Sequence, residues 1–449
     1  METVEQKLSQ FVSGLRFSDL TEEVIEKGKT CLLSGIGIGM ANRNMPNPRA
    51  AFDLVRKYDP GDEATLVGCG GKASLMGAVF ANAVAFHARG QEDTHGTSHL
   101  GTVVIPSALA MAEHAGATGE QFLLSVVAGY EVGGALGRDL TASSTARGFR
   151  ASSIYGTLAA AAAVSKILGY DPERTKNALG MAASFACGNT EAFAAGTMEW
   201  NFENGAAARN GLLAALLAEF DIPAADTFLS GETGFCQAFA GTRGPLEEIG
   251  KRIGVANEIL NVTFKPYSTC AFNQTPVSAM FRLIEREDLK PEKVQGIEVR
   301  MNPYEANYPG MGYLGPYRTL AQTLMSTVFM LGVVIVHRRL HLADGYLFDD
   351  PDVLAMCGMT RVIPDEAVAP LSCRLTVRLR DGGVAEERMD ITPEHYCFKM
   401  EKVIEILRTI HEETGVPSSV TDELVERIKV VESWPDVNEF VGLLTVRGG

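Results

Sequence analysis

Between Gln91 and Pro106 the chain reads QEDTHGTSHLGTVVIP, with Glu92, Asp93, Thr94, His95, Thr97, Ser98 and His99 inside eight positions ahead of an apolar run. Carboxylates, hydroxyls and imidazoles are costly to bury, so such a cluster at an element boundary points to a built site rather than to packing. Histidine suits proton transfer because it titrates near neutrality. His95 and His99 are four apart, a spacing that can put two metal ligands on one helix face. The intervening Gly96-Thr97-Ser98 is poor helix material and the chain has no HExxH motif, so no metal is expected. The histidines then read either as acid/base or substrate-orienting groups on a loop, or as rings satisfied by local hydrogen bonds.

Cations elsewhere supply the complement. Lys265 precedes Pro266 where helical sequence gives way to strand-like sequence, and clefts commonly form at such junctions. A lysine there suits carboxylate binding or, partly buried, service as a base. Arg147, Arg150 and Arg209 each read as a solvated charge or an anion contact. Tyr155, in SSIYGTL, reads as a core tyrosine or a site hydroxyl, with Ser152 and Ser153 as candidate helix caps. Covalent nucleophilic catalysis is not expected, since there is no GxSxG elbow and no cysteine with a nearby base in sequence. Gly68 to Ser74 looks like a phosphate loop but has Leu66 at the first glycine position and Ala73 after the lysine, so it predicts a turn.

The elements that must position these residues are mostly helical. Leu8, Val12 and Leu15 repeat at helical spacing, as do Val24, Gly28 and Leu32. Helices are expected over 74–90, 102–116, 119–139, 152–168 and 205–220. Gly129, Gly133 and Gly137 fall on one face of the third, where another helix can come close. After Pro266, Ile297 to Met301 alternates like a strand and Leu371 to Met389 reads as a hairpin turning at Asp381-Gly382-Gly383. Residues 271–286 and 319–336 read as helices, and the helical period returns from Phe398. The expected fold is mainly α: a large helical bundle over 1–265 and 400–449, with a smaller α+β domain over 266–399 placed before the C-terminal helices.

Bulk properties fit a globular protein. Of 449 residues, 46% are hydrophobic and 21% charged, which predicts two or three domains. The net charge of −15 argues against a nucleic-acid partner, though a local cationic cluster can still bind a small anion. Eight scattered cysteines without metal spacing read as reduced thiols. No secretory signal and no apolar run of membrane-spanning length occur, so a cytoplasmic protein is expected.

These segments resemble the MmgE/PrpD family. EDTHGTSHLGTVVIPSALAMAEHAGATGEQFLLSVVAGYEV is similar to the family block DDTH…HP…V.PAALA.AE..G.SG..LL.A...GYEV. GFRASSIYGTLAAAAAVSKILG, GAAARNGLLAALLA and FKPYSTCA resemble three further family segments in order. The resemblance implies a helical domain and a smaller α+β domain, usually in a homodimer. It implies chemistry beside a carboxylate of a small di- to tetracarboxylate, with no metal or organic cofactor. The family's activities include 2-methylcitrate dehydration, cis-aconitate decarboxylation and iminodisuccinate epimerisation.

Carried over residue by residue, the family threonine falls on Thr94, its histidine on His99 with one residue fewer between them, and its lysine on Lys265. Elsewhere this chain departs. Gly90 stands for an aspartate, Arg150 for the histidine of the GFHP segment, Trp200 or a neighbour for a lysine, and Ser326 or a neighbour for a tyrosine. Dehydration and decarboxylation need a placed general acid, which these departures remove. The resemblance therefore implies an isomerase: an epimerase with Lys265 as one base and His99 or Tyr155 opposite. Asp93, Thr94, His95, Arg150 and Arg209 would bind substrate. A lyase of the dehydratase or decarboxylase type is the alternative, and a non-catalytic binding homologue a third.

Overall fold

The computed structural model describes residues 2–445. Capping chemistry sets several helix starts. Thr3 and Gln6 form a reciprocal cap on α1 (Val4–Gly14), and Thr118 and Gln121 do the same for the 28-residue α6 (Gly119–Ala146). The helical part runs α1, α2 (Glu22–Ala41), α3 (Pro46–Tyr58), α4 (Leu75–His87), α5 (Gly101–Ala115), α6 (Gly119–Ala146), α7 (Ala151–Ile167), α8 (Pro172–Phe185), α9 (Glu191–Ala195), α10 (Trp200–Ala218) and α11 (Leu246–Arg252). A short hairpin, β1 (Ala64–Thr65) and β2 (Lys72–Ala73), occupies the phosphate-loop-like segment, with Gly70 and Gly71 at positive φ in its turn.

Small residues decide how closely α6 packs. A Cβ on Gly129 would lie 2.7 Å from Val104 and 3.0 Å from the Ala159 carbonyl. One on Gly133 would lie 2.7 Å from Leu100 and 3.0 Å from Ala159. Gly137 would meet ordinary contacts at 3.4 Å and beyond. Two of the three expected glycines are thus required by the approach of α5 and α7, and the third is not.

The second part continues with α12 (Gln274–Glu287), β3 (Val294–Met301), α13 (Pro303–Ala306), α14 (Leu320–Met325), α15 (Thr327–His337), α16 (Pro351–Met359), β4 (Thr360–Pro364), β5 (Cys373–Leu379) and β6 (Val384–Met389). The sheet order is β4-β3-β5-β6. β3 pairs with β5 antiparallel (Ile297 opposite Val377) and with β4 parallel (Ile297 opposite Thr360). Ile297, Val299, Met301, Leu375 and Val377 share one buried core with α12 and α15. β4 has no sequence signal, because it follows α16 without a turn. The helix expected over 319–336 is two helices, broken at Ser326, whose side chain caps the second.

Near the end of the chain α17 (Met400–Thr414), α18 (Ser418–Lys429) and the short α19 (Asn438–Val441) return to the helical part. Val403, Leu407, Leu424 and Val425 share one core with Leu32, Ile36, Val104 and Phe122. No helix among the described residues is long and apolar enough to cross a membrane.

Candidate active site

A cavity lies where α4, α7, α9 and α10 meet the chain around 265–272 and α14. It holds about 610 Å³ of space free of atoms, its open mouth and adjoining solvent included. One end is polar, with Glu92, His87, His99, Arg150, Lys265 and Thr97. The rest of the lining is Phe193, Trp200, Phe272, Tyr308, Leu324 and Met325, of which Phe193 and Trp200 lie against the Arg150 guanidinium.

The polar end is built by a loop and a strand-like bridge. α4 ends at His87, and Gly90 takes φ 70° to turn the chain. Thr94 and Thr263 then exchange backbone hydrogen bonds of 2.9 and 2.8 Å, and their hydroxyls meet at 2.6 Å. This bridge carries Lys265 beside the loop. Its Nζ donates to the Gly90 carbonyl at 2.7 Å and to Glu92 Oε1 at 3.2 Å. The loop also alternates: Gly90 and Glu92 line this cavity, while Arg89 and Gln91 line a cleft behind it.

Glu92 is the hub. His87 Nδ1 lies 3.0 Å and His99 Nδ1 3.2 Å from Glu92 Oε1, beside Lys265. Burial works to raise this carboxyl, but Lys265, His87 and His99 together outweigh it, and Glu92 sits well below the usual carboxylate range. His99 Nδ1 also lies 3.1 Å from the Asp93 carbonyl, which can only accept, so Nδ1 carries the proton. Burial and the nearby Lys265 charge hold His99 well below its ordinary value. The ring is therefore neutral, with a lone pair on Nε2. Ser152 fixes it further, accepting from the His99 backbone N–H at 2.9 Å.

Arg150 is an organiser. It donates to Glu203 at 3.1 Å, to the Trp200 carbonyl and to His87 Nε2. Its guanidinium lies over the rings of Phe193 and Trp200, 5.3 and 5.7 Å from their centroids. Accepting from Arg150 leaves the His87 proton on Nδ1, toward Glu92, and burial lowers this ring to about 4. Cys270 lines the cavity as a thiol, pushed up to about 11 by burial. Among the described residues no group of three or more His, Cys, Asp or Glu side chains is placed to hold a metal ion.

A model described as the MmgE/PrpD N-terminal domain matches residues 6–247, and one described as the MmgE/PrpD C-terminal domain matches residues 267–403. The chain belongs to the MmgE/PrpD family. Relatives within it include a cis-aconitate decarboxylase of Aspergillus terreus, 26% identical over 96% of this chain and 92% of the relative. A cis-aconitate decarboxylase of Homo sapiens is 30% identical over 54% of this chain and 51% of its own. A cis-aconitate decarboxylase-like protein of Aspergillus oryzae is 31% identical over 48% and 46%. These MmgE/PrpD relatives are named as decarboxylases or as decarboxylase-like.

Of the residues singled out in the sequence, the fold brings Lys265, His99 and Arg150 into the cavity. Tyr155 lies elsewhere: its ring packs on Phe235 in a helical core and its hydroxyl donates to Ser144 at 2.9 Å, with burial raising its pKa. Arg209 is exposed, over the ring of Phe80. Asp93, Thr94 and His95 do not line the cavity. Asp93 is buried between Tyr130 and the Gly101 N–H, and burial raises it to about 6. Thr94 makes the bridge to Thr263, and His95 Nε2 meets Glu258 at 3.0 Å. These three hold the loop in place. Sequence reasoning missed Glu92 as the hub, although it stands in the dense stretch. It also missed His87, whose signal is an imidazole closing a helix that is apolar but for Asn82. Nothing local marks Tyr308 or Phe193.

Proposed function

We propose that this MmgE/PrpD protein is a lyase acting beside the carboxylate of a small organic acid, by loss of carbon dioxide or of water. The observation that carries the reading is the convergence of Lys265, Glu92 and His99 at one end of a cavity. Lys265 is a cation for a substrate carboxylate and for the negative charge that develops when an adjacent bond breaks. His99 Nε2 offers a lone pair to take a proton, and the Lys265 ammonium can return one to carbon. Glu92 and Arg150 hold these groups in register. The named relatives favour the lyase over the epimerase that the departures in sequence suggested.

The test follows turnover in D₂O by NMR. The panel is cis-aconitate, 2-methylcitrate, iminodisuccinate stereoisomers, phenylmalonate and 2-benzylmalate. Release of CO₂ or water from any member, lost about 10²–10⁴-fold in Lys265→Ala and in His99→Gln, is expected. Exchange of an α-proton for deuterium with no such release would replace the lyase by the epimerase. Undiminished turnover in folded Lys265→Ala would remove that residue from the chemistry.

A further inference from the structure

We infer that this cavity selects a mono- or dicarboxylate carrying an apolar group of about phenyl size, and disfavours tricarboxylates. The inference rests on the reading of the cavity as the substrate site. Three observations carry it, the first being charge. Each cation of the cavity already has an acid: Lys265 has Glu92 at 3.2 Å and Arg150 has Glu203 at 3.1 Å. The two imidazoles are neutral, so the formal sum over these groups is zero. A tricarboxylate would add three negative charges to a buried space with no unpaired cation, where uncompensated charge is costly.

The second is donor supply. Lys265 has three N–H bonds, of which the Gly90 carbonyl and Glu92 take two. Arg150 is engaged along its edge by Glu203, Trp200 and His87 and covered on its faces by aromatic rings. Among the cavity-lining residues three buried donors have no hydrogen-bond partner: His87 Nδ1, which lies against Glu92, the Thr97 hydroxyl and the Trp200 indole N–H. A buried donor left unpaired is costly, so the Thr97 and Trp200 donors await an acceptor from a ligand. One ammonium N–H with the neutral donors of Thr97, Trp200 and Tyr308 suits one or two carboxylates, not three.

The third is the rest of the lining. Phe193, Phe272, Leu324 and Met325 carry no polar side-chain atom, and Tyr308 beside them adds a ring with a single phenol hydroxyl. They are suited to a ring or branched alkyl group in contact with aromatic faces.

Calorimetric titration of the full chain with three saturated probes tests this. 2-Benzylsuccinate is expected to bind about ten- to hundred-fold more tightly than succinate, the range for burying a phenyl-sized group. Tricarballylate is expected to bind no more tightly than succinate. In Trp200→Lys, which adds a cation and removes the aromatic wall, the order should reverse, with tricarballylate gaining at least ten-fold. Tightest binding of tricarballylate to the native protein, or equal binding of succinate and benzylsuccinate, would overturn the inference. Because binding and turnover are read separately, the two readings fail separately. The expected order without CO₂ or water release would leave the ligand class standing and remove the lyase. Turnover of cis-aconitate with tightest binding of tricarballylate would do the opposite.

Discussion

Glu92→Gln tests whether the hub is an ion pair in a dry setting. Glu92 and Lys265 have side chains only 2% and 4% exposed, so the substitution leaves an ammonium without its counter-charge. Breaking a buried pair from one side costs about 3–5 kcal/mol, and the glutamine oxygen still accepts from Lys265, so about 3 kcal/mol is expected at pH 7. Spread over 449 residues at about 2.1 cal/mol/K each, that loss lowers Tm by about 3 °C. The pH dependence has a definite sign. The folded-state value of Glu92 lies below its unfolded value, so its contribution is complete above about pH 4.5 and is lost as pH falls toward the folded value. The gap between native protein and variant should therefore stay constant from pH 5 to 8. It should narrow by about 1.4 kcal/mol per pH unit once pH drops below about 4. Calorimetric melts of both proteins across pH 3.5–8 read this directly. A gap under about 0.5 kcal/mol at pH 7, or one that widens on acidification, would refute the pairing.

Three further substitutions separate site from scaffold. Tyr155→Phe removes a buried donor to Ser144 and should cost about 1 kcal/mol in melts while leaving turnover unchanged. Arg209→Ala should change neither stability by more than about 0.5 kcal/mol nor kcat/KM, as expected of an exposed side chain. Gly133→Ala puts a methyl 2.7 Å from Leu100 and should destabilise by about 1–3 kcal/mol, whereas Gly137→Ala, with contacts no nearer than 3.4 Å, should be nearly neutral in the same assay.

Helical periodicity was legible because it is local. α4, α5, α7 and α10 fall close to where apolar spacing and small residues put them. The break at Ser326 was not legible, because an apolar run continues across it and a single serine cap interrupts the helix. The same contrast holds at the cavity. Lys265, His99 and Arg150 stand out by residue type and family alignment, and all three line it. Glu92 was hidden by its neighbours: in a stretch where Asp93, Thr94 and His95 look equally reactive, only the alternation of the loop decides which side chains face inward. Tyr155 shows the converse. A hydroxyl at the start of a helix beside a family motif is turned by that helix onto Phe235, away from the substrate space.

The return of α17 and α18 to the first helices has a consequence for biosynthesis. His411 Nε2 lies 3.0 Å from the Gly37 carbonyl, and a Cβ on Gly37 would lie 2.6 Å from a Leu407 methyl. The apolar face of α2 is thus completed by residues synthesised some 370 positions later. At roughly 5–20 residues per second, that face waits roughly 20–75 s on the ribosome before its partner exists. Lys265 likewise reaches Gly90 across 175 residues, so the cavity closes only after most of the chain has emerged. A nascent chain of this protein therefore carries that face of α2 without its α17 and α18 cover through nearly all of its translation. Any product truncated before residue 400 keeps that face uncovered for good.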